Sequence, residues 1–194
     1  MLNTIHSIIL SSLLIVSINN YAIISADTTD DCQNDTEVVC KEVEAETEEK
    51  NTITLPSIEN NGFKTYMDYR MITDTSSKQW EMQQSAYTDE NGLRKIDDYY
   101  CVALGSGISD KLGNKFKITF ESGETIKVIA ADQKADRHTD STNTYIDLGN
   151  GRINIVEFIV HTEKMPSIVK TMGDVSHMPG DKFYGNIVEM EAII

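Results

Sequence analysis

Ile153-Asn154-Ile155-Val156-Glu157-Phe158-Ile159-Val160 sets the class of this fold. Six of its eight residues are large and apolar and five are β-branched, which is the composition of a buried strand. Alternation places Glu157 on the opposite face from Val156 and Phe158. A lone acid inside such a strand is either paired or functional. Two roles therefore stand open for it. One is structural, with the carboxylate bonded to loop amides or to Arg152; the other is catalytic.

Upstream of this strand the same signals recur at short intervals. Tyr99–Leu104 is an apolar run followed by a Gly/Ser loop, and Lys115–Phe120 is a second strand. Ser122-Gly123 is a hairpin turn into Thr125–Ala131, after which a polar loop runs from Asp132 to about Asn143. Further upstream, Phe63–Ile72 alternates as a strand. Ser76-Ser77-Lys78-Gln79 resembles a capping box opening a short helix through about Ala86. Asn91-Gly92 marks a turn. Downstream, Pro166 and Gly173 bracket a short helix over Ser167–Met172, and Gly185–Ile193 is the last strand. Six short strands and two small helices make the fold mainly β, with a compact six-stranded barrel as the expected closure.

The domain so outlined spans residues 63–194. Charge separates it from what precedes it. The chain has 194 residues and a net charge of −14. Residues 27–62 hold eleven of the acidic groups and only two basic ones. They contain too few large apolar residues for a core and read as a disordered acidic spacer. The remaining domain is only mildly acidic. An acidic chain of this kind excludes a phosphate-backbone partner, so no nucleic acid is expected.

Residues 1–26 contain no Asp, Glu, Lys or Arg, and Ile8–Val16 is apolar apart from Ser11 and Ser12. Ile24-Ser25-Ala26 resembles a small-residue cleavage site. Two readings stand: a cleaved signal peptide, or an uncleaved anchor helix spanning residues 5–25. Either makes the protein secreted or extracellular, with contact to a membrane only through that anchor. Cys32 and Cys40 could close a small loop in an oxidising compartment, whereas Cys101 reads as a buried free thiol. No cysteine pair has zinc-site spacing.

Three segments, in order, resemble the double-psi β-barrel, and within it the three-aspartate domain of secreted bacterial cell-wall proteins. That fold is shared with rare lipoprotein A, the lytic transglycosylase A family and the expansins. The family pattern V-A-V-D-P followed by I-P-L-G-T has its counterparts in Cys101-Val102-Ala103-Leu104-Gly105 and Ser109-Asp110-Lys111-Leu112-Gly113-Asn114-Lys115. The pattern A-x-D-T-G-G is met by Ile129-Ala130-Ala131-Asp132-Gln133-Lys134, and I-D-V-F-F by Ile155-Val156-Glu157-Phe158-Ile159. The resemblance covers about residues 96–193 and implies a six-stranded double-psi barrel with two short helices. The chain departs from the family at each aspartate site. The first is Gly105, the Thr-Gly-Gly after the second is Gln133-Lys134-Ala135, and the third is Glu157.

In lytic transglycosylases of this fold a single carboxyl serves as acid and base on a glycosidic bond. The resemblance gives that role to Glu157, with Asp132 as the neighbouring carboxylate that would help hold its proton. Asp136, His138 and Asp140 alternate in the following loop. They could hold a divalent cation or bond sugar hydroxyls, the alternative being a polar loop whose acids cap turns and pair with Lys134 and Arg137; that alternative is favoured over a metal, and no cofactor is expected. Trp80, on the expected helix, is the aromatic placed at the edge of a sugar groove. Gly105-Ser106-Gly107 lacks the strand–turn–helix context of a serine nucleophile.

Three functions compete. The first is cleavage of cell-wall polysaccharide by a monomer, in the manner of a peptidoglycan lytic transglycosylase. The second is a non-catalytic polysaccharide-binding module. The third is a protein-interaction domain carried on an acidic stalk.

Overall fold

In chain order the strands are Tyr66–Asp68 (β1), Tyr87–Thr88 (β2), Arg94–Ile96 (β3), Tyr99–Leu104 (β4), Lys115–Phe120 (β5), Thr125–Gln133 (β6), Ile146–Gly149 (β7), Arg152–Asn154 (β8), Glu157–Val160 (β9) and Ile187–Ile193 (β10). The helices are Lys78–Ser85 (α1) and Ser167–Met172 (α2). They come from a computed structural model that describes residues 51–56 and 60–194, all within a unit spanning Glu46–Ile194. The leader at 1–26, most of the acidic spacer, and Cys32 and Cys40 lie outside the described residues. No helix among the described residues is long and apolar enough to cross a membrane.

Eight strands make one sheet along the path β1-β9-β4-β6-β5-β10, with β3 joined to β4 and β2 to β3; β7 and β8 form a separate hairpin. The fold is therefore mainly β with two helices, as expected. The closed six-stranded barrel is not what forms: ten strands are present among the described residues, and no pairing joins β1 to β10. Two local features accompany the open sheet. Strand β4 is lined by β6 along one edge, while β3 and β9 divide the other between them. The expected strand Phe63–Ile72 also stops after three residues, because the Asp68 carboxylate accepts the Arg70 amide and turns Tyr69–Met71 into a 3-10 turn.

The exposed edge of β10 is covered instead by the chain just before the domain. The Ile53 amide donates to the Met190 carbonyl at 2.7 Å, and the Ala192 amide to Asn51 at 2.9 Å. That pairing blunts an edge that would otherwise invite other strands. Asn61, 5% exposed, donates to the Ile187 carbonyl and accepts from the Ile187 amide. Folded structure thus starts before Phe63, the expected boundary.

Strand β4 explains its own sequence. Tyr100, Val102 and Leu104 enter the main core with Phe116, Ile118, Val128 and Phe158. Cys101 faces a second, smaller cluster with Met82, Ile129, Ala131 and Ile159. Apolar residues on both faces are what a strand covered on both sides requires. Helix α1 lies over the second cluster and inserts Met82. Its cap is Ser77, whose hydroxyl accepts the Trp80 amide at 3.1 Å, while Ser76 is held by Asp74. The buried Arg94 guanidinium ties the far end of α1 to the β2–β3 hairpin, donating to Gln83 Oε1, Thr88 Oγ1 and the Ala86 carbonyl.

The expected strand Ile153–Val160 is split. β8 ends at Asn154 and β9 begins at Glu157. At the break the carbonyls of Asn154 and Ile155 both accept from the Lys134 ammonium, at 2.8 Å each. A carbonyl turned to a buried cation leaves the ladder, so Lys134 interrupts a run that composition alone reads as continuous.

Candidate functional site

Register decides whether the two candidate carboxylates meet. Ala103 on β4 pairs with Asp132 on β6 and with Glu157 on β9. The β4–β6 ladder carries a bulge between Val102 and Ala103, which opposes Val102 to Ala130 and Ala103 to Asp132. The bulge turns Asp132 onto the face of Ala103. Both carboxylates then stand on the face that carries Cys101 and Ile159, two strand spacings or roughly 10 Å apart at Cα, with α1 reaching Asp132 through Gln79. Between them lies Ala103, 1% exposed. The three segments that resemble the family's motifs are adjacent strands, with β4 in the middle.

The environments of the pair differ. Asp132 accepts its neighbour Gln133's amide at 2.8 Å. Burial pushes its carboxyl above the ordinary range, moderated by that amide and by the Gln79 side chain from α1. The Glu157 carboxylate makes no hydrogen bond among the described residues, and its charge acts on the Lys134 ammonium. Lys134 is 5% exposed; burial draws its ammonium down to about 8, with Glu157 opposing the fall. Sequence reading passed over Lys134 because a lysine in a polar loop looks solvated. Its only signal was its place where the family has glycine.

The other candidates are not drawn to this pair. Asp136 accepts from Ser106 Oγ at 2.8 Å. Asp140 organises its own loop, taking the amides of Thr142, Thr144 and Tyr145 and the Thr142 hydroxyl. Those bonds hold its carboxyl far below the usual carboxylate range. His138 receives the Arg137 Nε at 3.1 Å on the exposed side of a 3-10 turn. The turn-capping alternative describes Asp140 better than a sugar contact does. No group of three His, Cys, Asp or Glu among the described residues could hold a metal ion. Trp80 packs, partly buried, against the cluster beneath α1. Arg152 does not pair with Glu157 but lies over the Phe63 ring, 5.3 Å from its centroid.

Gly105, which stands where the resembled pattern has its first aspartate, is fixed by contact. A Cβ there would lie 2.0 Å from the Asn143 carbonyl oxygen, and one at Gly107 2.1 Å from that of Thr142. Backbone against backbone leaves no space for an aspartate. Cys101 is buried and unpaired, with burial raising its thiol to about 12, so it is inert as a nucleophile at neutral pH. Comparison of the chain with family models, with curated proteins and with solved structures found no match.

Proposed function

We propose that the chain is a diverged, exported relative of the three-aspartate double-psi barrels, and that it cleaves cell-wall glycan with Asp132 and Glu157. One observation carries this reading: the register that sets both carboxylates beside Ala103 on one face. Sugar cleavage needs one group holding a proton for the leaving oxygen and one carboxylate to receive a proton or stabilise charge. Burial suits Asp132 to the first role. Glu157, on the Lys134 side, suits the second. This reverses the emphasis that the family motif places on the third segment. The export signal in residues 1–26 supplies the location, and the protein acts as a monomer.

A non-catalytic polysaccharide-binding module is the second reading, favoured by the backbone contact that bars an aspartate from position 105. The full chain incubated with purified insoluble peptidoglycan separates the two. Cleavage predicts soluble muropeptides whose release falls at least about 100-fold in Asp132→Asn and in Glu157→Gln, with unchanged thermal melts. Protein that pellets with the wall without releasing muropeptides makes it a binding module. Neither pelleting nor release refutes both.

A further inference from the structure

A cleft of about 310 Å³ opens where the segment before β1 meets the start of β8 and the loop before β10. Its volume is at the small end of the range for ligand pockets, about 300–1,000 Å³. Its walls are fixed from behind. Lys64, fully buried, donates from Nζ to the carbonyls of Gly62 and Gly185 at 2.6 and 2.8 Å, which pins two lining residues. Asp174, 6% exposed, is locked by the amides of Lys64 and Ser176 and by the Ser176 hydroxyl. Asn186 Oδ1 accepts the Asn61 amide, and the Asn186 amide donates to Glu121. The space itself depends on glycine. Gly185 has a φ of +88°, and a Cβ on Gly62 would press to 3.2 Å from Asn186 Oδ1.

Against these satisfied groups stands Arg152. Its guanidinium rests on the Phe63 ring and makes no hydrogen bond among the described residues, and its Nε is buried without an acceptor. A half-buried arginine with no acceptor is costly unless something supplies one. Tyr184, 62% exposed, adds an aromatic face at the rim. An anion would meet the Glu121 and Asp174 carboxylates in the same cleft. A neutral ring bearing several hydroxyls meets donors, acceptors and an aromatic face together.

We propose that this cleft is a saccharide subsite holding one sugar unit of the glycan, with Arg152 donating to its oxygens and Tyr184 packing on its ring. The subsite rests on the glycan reading above, and the walls are built before the ligand arrives, so little ordering is lost on binding.

The test is titration of the full chain with a β-1,4-linked N-acetylglucosamine tetramer by calorimetry. Wild type is compared with Tyr184→Ala, Arg152→Ala, Arg152→Lys and the Asp132→Asn/Glu157→Gln double variant, with melts recorded for each. The subsite predicts that Tyr184→Ala and Arg152→Ala each weaken binding at least about 5-fold, and that Arg152→Lys retains part of the affinity. Tyr184 is exposed, so its variant keeps the test valid even where Arg152→Ala fails to fold. Binding that survives both cleft variants but falls in the double variant overturns the subsite and leaves the glycan reading intact. No binding by wild type overturns both.

Discussion

Two lysines are buried in this domain by the same device and to different ends. Lys64 gives its ammonium to the carbonyls of Gly62 and Gly185, and Lys134 to those of Asn154 and Ile155. Each faces one carboxylate, Asp174 in the first case and Glu157 in the second. Burial draws both ammonium groups down to about 8. The difference lies in the carboxylates. Asp174 is buried with both oxygens engaged by donors, so the Lys64 corner is a closed network that braces the cleft. The Glu157 carboxylate makes no hydrogen bond among the described residues, so the Lys134 corner leaves its oxygens available. A buried cation bonded to carbonyls therefore does not by itself mark function; the two corners differ in the free valence of the partner carboxylate.

The sharpest way to break this comparison is to remove each cation. Lys64→Met leaves two buried carbonyls without their donor and the buried Asp174 without its counter-charge, though with its hydrogen bonds, and should cost about 3–5 kcal/mol in urea unfolding. Lys134→Met should cost less, about 1–3 kcal/mol, because Glu157 reaches solvent. Equal losses at the two sites would show that Glu157 is as enclosed as Asp174.

The pH dependence follows next. Folding lowers both lysines from 10.5 to about 8. Between those values the unfolded chain holds protons that the folded chain has shed, so stability rises with pH from about 8 to about 10.5. Below about 8 both states carry the charge, and the cost of burying it is present in full. A shift of that size is worth roughly 3 kcal/mol for each lysine. Thermal melts across this window should rise, and each Lys→Met variant should remove part of the rise. A flat profile would mean that the carbonyl cages hold the ammonium charged throughout.

Smaller effects separate the carboxylates. Asp174→Asn should destabilise by about 1–3 kcal/mol, since one oxygen that now accepts would become a donor among donors. Glu157→Gln should change stability by no more than about 0.5 kcal/mol, while removing muropeptide release. A Glu157→Gln variant that unfolds as readily as Asp174→Asn would return Glu157 to a structural role.

Much of the domain could be read from residue order. Tyr99–Leu104, Lys115–Phe120 and Ser167–Met172 form where expected, because an apolar run between turn residues, or a Pro and Gly bracket, is local information. Gly173 ends α2 in the left-handed region at φ 67°, which is the reason glycine is needed there. Where reading failed, the cause was a contact between distant residues. Asp68 capped a turn inside an expected strand, and Lys134 broke another from about twenty residues away. The β2–β3 hairpin was missed because Tyr87–Thr88 and Arg94–Ile96 are too short to show a period.

The candidate site divides along the same line. Composition and order alone determined an N-terminal stretch without charged side chains, an acidic stretch, a mainly β domain, and acids at Asp132 and Glu157. Only the tertiary structure decided that one bulge beside Ala103 sets those acids on a shared face, that Asp140 is spent on its own loop, and that position 105 has no space for a side chain. The reason is physical. Hydrophobic periodicity is written along the chain, whereas strand register and close backbone approach arise between segments, and a one-residue slip would turn either acid to the other face.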